Sequence, residues 1–488
     1  MITSAAFVGK RYAVLGLARS GLATVRALVA SGAQVTAWDS DEAKRNALPL
    51  PSGERVGVRG SEPQASVPAI GADHPHPTLS PKGEGFSWGD PMLIDLTGFD
   101  GIVVSPGVPL NTHPIASRGR EAGVPIIGDI ELFAQARASL PDHKVVAITG
   151  TNGKSTVTAL IHHILQTAGV PTTLGGNIGL PILGQEPLPA GGVYVLELSS
   201  FQIDLTHSLA ADVSVLTNIT PDHLDRYDGF TGYAASKARL FAMQRPGQSA
   251  VIATDDEPTR ALAVHLSRAV LPPLAMDGLL GAPLGMPPIP AGPTVVAVSA
   301  GDVTDQSAWP ALQGPHNAQN VAIARAACRL LGIDDAAIEQ GLRTYPGLPH
   351  RMERIAELAG VLYVNDSKAT NATSTAPALG AYPKIHWILG GKRKTDDLDA
   401  CKPYYGHVVA AYTIGEAAEL FERILLESGI YARNLGTLDA AVKAAAQVAR
   451  PGETVLLSPA CASYDQFRDY EARGDAFRAA VAMLGTGA

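Results

Sequence analysis

Short apolar runs recur along this chain, each ending in a glycine or polar turn and followed by a segment with apolar residues three and four apart. Continuous apolar runs of that length predict strands buried on both faces, and the segments between them predict helices. Tyr12–Leu17 reads as a strand, Gly21–Ser31 as a helix, and Ala33–Asp39 as a second strand ending in an acid. Gly101–Gly107 and Val124–Asp129 are two more strand ends that carry turn residues. A second series starts at 143 and continues through strands Val193–Leu198, Val213–Asn218 and Ser249–Thr254, then a helix over Asn317–Leu331. A third series places strands near Leu362, Ile385, Val408 and Val455. Strands alternating with helices predict parallel sheets covered on both faces.

Punctuation divides the pattern. Leu271–Pro293 is rich in Pro and Gly and reads as a long surface connection, and Pro346-Gly-Leu-Pro349 interrupts the chain again. The expectation is an α/β protein of three domains, with joints near 132 and 346: 1–132 and 347–488 Rossmann-like, and 133–346 a phosphate-loop ATPase type. Residues 60–92 break the period. Pro68–Gly89 is dense in Pro, Gly and His, including His74 and His76, and reads as a solvated insertion loop without assigned function.

At 488 residues with 46% hydrophobic and 17% charged positions, the chain has ample material for several cores. A net charge of −8 argues against a general nucleic-acid binder and leaves room for local basic pockets that clamp small anions. Cys328, Cys401 and Cys461 are far apart and form no CxxC pair, which suits a reducing compartment without disulfides or zinc. No apolar run approaches bilayer length, and the first residues lack a secretory pattern. A cytoplasmic monomer that touches neither membrane nor nucleic acid is expected.

The chemistry concentrates at Val145–Thr156, where an apolar strand runs into Gly150-Thr151-Asn152-Gly153-Lys154-Ser155-Thr156 and then a helix. Glycines let backbone N–H groups fold around phosphate oxygens, and the following helix points its positive end at them. Lys154 then reaches the terminal phosphates, with Ser155 or Thr156 holding Mg²⁺. Ile148 stands where the commoner loop has glycine, so the loop is a variant. Glu197 and His223 each follow an apolar strand in the same domain, where sheet ligands bind and where Mg²⁺ finds hard donors. Lys237, by spacing alone, is an ordinary helix lysine. Lys368 and Thr370, the Gly390-Gly-Lys-Arg-Lys394 loop and Ser463 follow strands of the third domain. They read either as a cationic, hydroxyl-rich rim for a substrate with two carboxylates or as loop residues in water. In the first domain, Gly16–Gly21 lacks the G-x-G-x-x-G spacing, so a nucleotide diphosphate near Ala18, Arg19 and Ser20 is favoured over NAD.

Gly150–Thr156, Gly176-Asn-Ile-Gly179, Glu197–Gln202, Asn218–Asp225, the Tyr233–Lys237 helix, His316–Asn320 and Leu348-Pro-His-Arg351 together resemble the Mur ligases of peptidoglycan synthesis, in order and over nearly the whole chain. Asn365–Asn371 and Ser458–Ser463 are similar to members that add D-glutamate to UDP-N-acetylmuramoyl-L-alanine. The resemblance implies a UDP site around Ala18, Arg19, Ser20, Asp39 and Ser40, with Ser105, Asn177 and His223 lining the approach. It implies ATP on Gly150–Thr156, Asn317, Asn320 and Arg351, and D-glutamate on Lys368, Thr370, Lys394 (or Lys392), Ser463 and Tyr470. Lys154, Glu197, His223, Lys237 and Arg351 become the catalytic set, and Ser155, Glu197, His223 and Lys237 hold two Mg²⁺, Lys237 as a CO₂-derived carbamate. Folylpolyglutamate synthase shares the loop and the lysine helix but has no use for a UDP-binding first domain.

Overall fold

The computed structural model describes residues 1–46, 85–268 and 292–485. The first sheet holds β1 (Arg11–Leu15), β2 (Gln34–Trp38), β3 (Phe86–Trp88), β4 (Gly101–Val104) and β5 (Ile126–Ile127), in the order β3-β2-β1-β4-β5. All its pairs are parallel. The second holds β6 (His143–Thr149), β7 (Thr172–Gly176), β8 (Gly192–Glu197), β9 (Val213–Leu216), β10 (Ser249–Ala253) and β11 (Thr294–Val298). Its order is β11-β10-β9-β6-β8-β7, again wholly parallel. The third holds β12 (Glu353–Leu358), β13 (Val361–Asn365), β14 (Ile385–Gly390), β15 (Val408–Ile414), β16 (Ala432–Gly436) and β17 (Thr454–Leu457), in the order β12-β13-β17-β14-β15-β16. There β12 runs antiparallel to β13 and the other pairs are parallel.

Strand order decides where ligands can enter. From β6 the chain crosses to β7 on one side and later reaches β9 on the other, so a crevice opens beyond the ends of β6, β8 and β9. The phosphate-loop motif sits at that point. A matching reversal in the first sheet puts Gly16 after β1 and Ser105 after β4 side by side.

Period-2 side-chain alternation builds the cores. Along β6, Val145 and Ala147 join a cluster with Tyr12, Leu28 and Phe133 of the first unit, while Val146 and Ile148 face Leu160, Ile164 and Val215. The first and second units therefore share apolar packing. Their junction is also clamped by Glu131, whose carboxylate accepts the His207 and Ser208 amides at 2.7 and 2.9 Å and the Ser208 hydroxyl at 2.7 Å. The third unit packs its own sheet faces around Trp387 and Leu456 on one side and Ile388 and Phe477 on the other.

Several expectations need correction. Of the proposed insertion, residues 60–84, with His74 and His76, lie outside the described residues, but Phe86–Trp88 form a parallel edge strand on β2. Two aromatics beside a Pro/Gly-rich run are enough for a three-residue strand, which no period reveals. The first helix spans Arg19–Ala30, starting two residues earlier than Gly21, because Gly16 rather than Gly21 makes the turn. β7, β11, β12 and β16 were not foreseen, and all four are sheet edges, where apolar pattern is weakest. Most of Leu271–Pro293 lies outside the described residues. Among the described residues no helix is long and apolar enough to cross a membrane.

Asp129 begins the helix Asp129–Ala136 in full burial, with Oδ1 accepting the Ile130 amide at 3.1 Å and Oδ2 left without a partner. Burial raises its pKa to about 6. Since the folded value exceeds the unfolded one, wild-type stability falls as pH climbs from about 4 through 6. Asp129→Asn carries no such charge. Between pH 5 and pH 7.5 the urea-denaturation stability of the variant should therefore shift by about 1 kcal/mol in its favour relative to wild type; a pH-independent gap would show that Asp129 titrates alike in both states.

Candidate active site

Gly150 leaves β6 with φ 145°, and a side chain there would collide with Thr217 Oγ1. Gly153, at φ 83°, lies against Asn320 Oδ1 and begins the helix Lys154–Thr167. The loop is held from outside: the Asn152 amide donates to Asn218 Oδ1 at 2.8 Å, and Thr217 Oγ1 donates to the Asn152 carbonyl at 2.6 Å. Thr151 Oγ1 lies 3.2 Å from the Tyr233 hydroxyl. Lys154 curls back, donating from Nζ to the carbonyls of Gly150 and Thr151 at 3.0 and 2.8 Å. Burial lowers its pKa, Glu197 opposes that, and Arg351 adds to it. A half-buried cation whose hydrogen bonds go to backbone carbonyls is poised for an anion such as a phosphate.

Lys237 lies beneath the loop, 1% exposed, donating to the Gly150 carbonyl at 2.8 Å with its amine 4.5 Å from the Tyr233 ring centroid. Burial, then the neighbouring Lys154 charge, push its pKa well below the ordinary lysine value. Such an environment favours a free amine, the form that can capture CO₂. Glu197, at the end of β8, pairs in register with Ile148 and so emerges beside the loop. Its Oε1 accepts Asn177 Nδ2 at 2.9 Å, while the buried Oε2 and the buried Thr149 hydroxyl have no partner. His223 has φ 51°, and its half-exposed ring packs 4.9 Å from Phe201. Among the described residues no three His, Cys, Asp or Glu side chains gather as a metal cage. The available donors are an orphaned carboxylate oxygen, the Ser155 hydroxyl and an imidazole, which fit Mg²⁺ that completes its shell with water and substrate phosphates.

The third unit meets this loop through Arg351, which donates to Ser155 Oγ at 3.0 Å. Arg351 sits between His350 at φ 61° and Met352 at φ 47°, two non-glycine residues in the left-handed region, so the turn presenting it is strained. Gly153, Thr156, Asn317, Asn320, Arg351 and Lys368 line one cleft between the second and third units. Lys368 and the phosphate loop thus face the same space. Lys368 Nζ stands 3.8 Å over the Tyr470 ring, and burial followed by Arg351 lowers its pKa. Lys394 Nζ donates to Thr370 Oγ1 at 3.3 Å. Lys392 is instead tied by its backbone to Ala462, and Ser463 follows in the same loop, buried.

In the first unit, Gly16, Ser20 and Ser105 line a small cavity, with Ser105 Oγ donating to the Gly16 carbonyl at 3.2 Å. Ala18 precedes the helix Arg19–Ala30, and Arg19 donates to the Gly179 carbonyl at 3.0 Å, touching the turn that carries Asn177. Asp39 is turned inward: its carboxylate accepts the Leu17 and Asp41 amides at 2.7 and 2.9 Å, shaping the turn after β1. Arg45 donates to the carbonyls of Asp39 and Ser40.

Three residues of the site were missed in the sequence. Asp366, buried in the same cleft, has its pKa raised to about 7 by burial, against hydrogen bonds from Ser458 and Met352. His316, also lining the cleft, is held neutral by burial, its pKa lowered to about 4. Arg473 is 1% exposed and donates to Ser367 Oγ and the carbonyls of Ser367, Cys461 and Ala462 at 2.8–3.3 Å. It thereby pins the loops that carry Lys368 and Ser463. Both Asp366 and His316 fell inside recognised motifs, but only burial distinguishes them from their neighbours; nothing in spacing marks Arg473.

Residues 148–275 match the Mur ligase middle domain, and residues 350–461 the Mur ligase, glutamate ligase domain. The chain is 57% identical to the UDP-N-acetylmuramoylalanine--D-glutamate ligase of Sphingopyxis alaskensis, over 99% of this chain and 100% of that one. It is 56% identical to the protein of that name in Novosphingobium aromaticivorans, over 99% and 97%, and 51% identical to the one in Zymomonas mobilis, over 99% and 100%. Among solved structures, UDP-N-acetylmuramate-alanine ligase MurC from Thermotoga maritima matches with a TM-score of 0.54 at 16% identity, covering 98% of this chain and 100% of that one. At that identity the structural match speaks for the fold. With relatives this similar along their full length and two matched domains, the chain belongs to the Mur ligase family.

Proposed function

We propose that this chain is an ATP-dependent ligase that forms the amide bond between UDP-N-acetylmuramoyl-L-alanine and D-glutamate in peptidoglycan precursor synthesis. The reading rests on one observation above all: the phosphate loop and the third unit's Arg351 and Lys368 face a common cleft. The names of the relatives supply the acceptor.

The alanyl carboxylate attacks the γ-phosphorus of ATP, ADP departs, and an acyl phosphate forms. Lys154 exchanges the carbonyls of Gly150 and Thr151 for terminal phosphate oxygens, and Arg351 meets the same charge from the opposite wall. Asn317 and Asn320, buried in the cleft, take the nucleoside side. Bound Mg²⁺, held by Ser155, Glu197, His223 and Lys237 as a carbamate, would neutralise the crowded phosphate oxygens. Lys368, Thr370, Lys394, Ser463 and Tyr470 receive the two carboxylates of D-glutamate. The D-glutamate amine then adds to the acyl carbon; the tetrahedral adduct collapses, expelling inorganic phosphate and losing a proton to leave the amide. The first unit holds the UDP portion around Ala18, Arg19, Ser20, Ser40 and Ser105, with Asp39 acting by shaping the turn. Approach of the third unit onto the cleft keeps water from the acyl phosphate.

Incubation with UDP-N-acetylmuramoyl-L-alanine, ATP, Mg²⁺ and one amino acid should give a condensed product by mass spectrometry with D-glutamate. Product with L-lysine, diaminopimelate or L-alanine instead would assign another ligase of the family. Steady phosphate release should need both the UDP-sugar and D-glutamate.

Lys237→Ala should lower kcat by about 100-fold or more, because a charge-stabilising ligand is lost, and a short carboxylic acid added in solution should restore part of it. Full activity in that variant would remove the carbamate. Lys368→Ala should raise the KM for D-glutamate roughly 10- to 100-fold, the loss of a charge-assisted hydrogen bond, with the KM for ATP changed far less; steady-state kinetics for each substrate in turn decides it.

A further inference from the structure

One contact network lies between the candidate UDP turn and His223 and plays no part in the chemistry above. Ser105 joins both of its first members: its hydroxyl donates to the Gly16 carbonyl at 3.2 Å, and its own carbonyl accepts the Val108 amide at 3.0 Å. The Val108 carbonyl in turn accepts Arg226 Nη2 at 3.1 Å, across the boundary between the first and second sheets. A second bond crosses the same boundary, from Asn111 Nδ2 to the Asp225 carbonyl at 3.1 Å. Arg226 also stacks its guanidinium 4.2 Å over the Phe201 ring.

Phe201 is where the network meets the site. Its ring lies 4.9 Å from that of His223 and is stacked at 6.0 Å with that of Tyr227. The Arg226 amide closes the turn by donating to the His223 carbonyl at 2.9 Å. His223 needs such support, since φ 51° is sparsely populated outside glycine and is kept only where surroundings over-determine it. Its imidazole has no buried hydrogen-bond partner to fix it, only a half-exposed Asp222 at 3.6 Å. Ring packing on Phe201, with a more distant edge contact to Tyr233 at 6.4 Å, therefore sets its orientation, and Arg226 stacks on Phe201 from its own turn.

We propose that Arg226 is a positioning residue that couples the two substrate sites: the loop Ser105–Asn111, when it closes on the UDP-sugar, orients His223 through Arg226 and Phe201 and so tightens the nucleotide site. The proposal rests on the functional reading above. Arg226 suits the task because a planar guanidinium can donate sideways to a carbonyl while its face lies on a ring. Binding coupled through a shared two-state element is reciprocal, so each ligand must strengthen the other by the same factor.

The test is calorimetric titration without D-glutamate, so that no turnover occurs. UDP-N-acetylmuramoyl-L-alanine and a non-hydrolysable ATP analogue with Mg²⁺ are each titrated alone and then in the presence of the other. In wild type each ligand should tighten the other at least about fivefold, the lower end of ordinary coupling. Arg226→Ala should keep both separate affinities within about twofold while the coupling falls below about twofold, and Arg226→Lys should restore part of it. Asn111→Ala, a milder change at an exposed side chain, should reduce the coupling in the same direction and guards against misfolding of the first variant. Unchanged coupling in Arg226→Ala and Asn111→Ala, absent coupling in wild type, or a variant that weakens one ligand in the other's absence would each overturn the proposal. Failure of wild type to bind either ligand would instead overturn the functional reading beneath it.

Discussion

Positive charge crowded around one carbonyl is the constraint on which the rest of this structure depends. Lys154 and Lys237 both donate to the Gly150 carbonyl, and neither amine has a hydrogen-bonded carboxylate among the described residues. Burial and the neighbouring Lys154 charge together push the Lys237 pKa well below the ordinary lysine value. The fold accepts that arrangement because its components are fixed elsewhere: Gly150 by its left-handed backbone and the wall of Thr217, Lys237 by a helix packed beneath the loop. An anionic substrate relieves the repulsion.

The third unit answers the same constraint from the other wall. Arg351 and Lys368 bring further positive charge to the cleft, and burial followed by the Arg351 charge lowers the pKa of Lys368. Their loops do not stand by themselves. Arg473 gathers carbonyls from the loops after β13 and β17, and the Lys368 amide donates to the His350 carbonyl, linking the strained Arg351 turn to the same scaffold. One buried guanidinium thus joins two separate strand exits into a single surface. The cost of burying Arg473 is offset by its hydrogen bonds to the Ser367 and Cys461 carbonyl oxygens.

Junctions between the units are unlike one another. First and second units share an apolar cluster and the Glu131 clamp, the signature of a fixed relation. Second and third units meet chiefly across the lined cleft, with Arg351 and Ser155 as a direct polar contact. Apolar burial resists separation in proportion to area, whereas a polar contact beside a solvent cleft exchanges readily for water or ligand. Motion that admits and releases substrate belongs at the second junction.

Much of the fold was legible from residue order alone. Apolar runs such as Val145–Ile148, Val193–Leu196 and Val213–Leu216 had to be buried strands, and the glycines directly after the first had to form a turn leading into a helix. The short edge strands Phe86–Trp88 and Thr172–Gly176 were not legible, because their pairing is supplied by a neighbour rather than by their own pattern. Loop chemistry was local and could be read: which residues follow which strand, and what charge they carry. Whether Lys368 and the phosphate loop look into one space is not local. It depends on strand order, on Arg473 reaching back from the final helix, and on the turn at His350–Met352, all of them long-range contacts that no periodicity records. Sequence by itself determined the chemical groups and the sheets that bear them; only the tertiary structure decided that the phosphate loop, Arg351 and Lys368 line one cleft, because that is a property of packing between segments hundreds of residues apart.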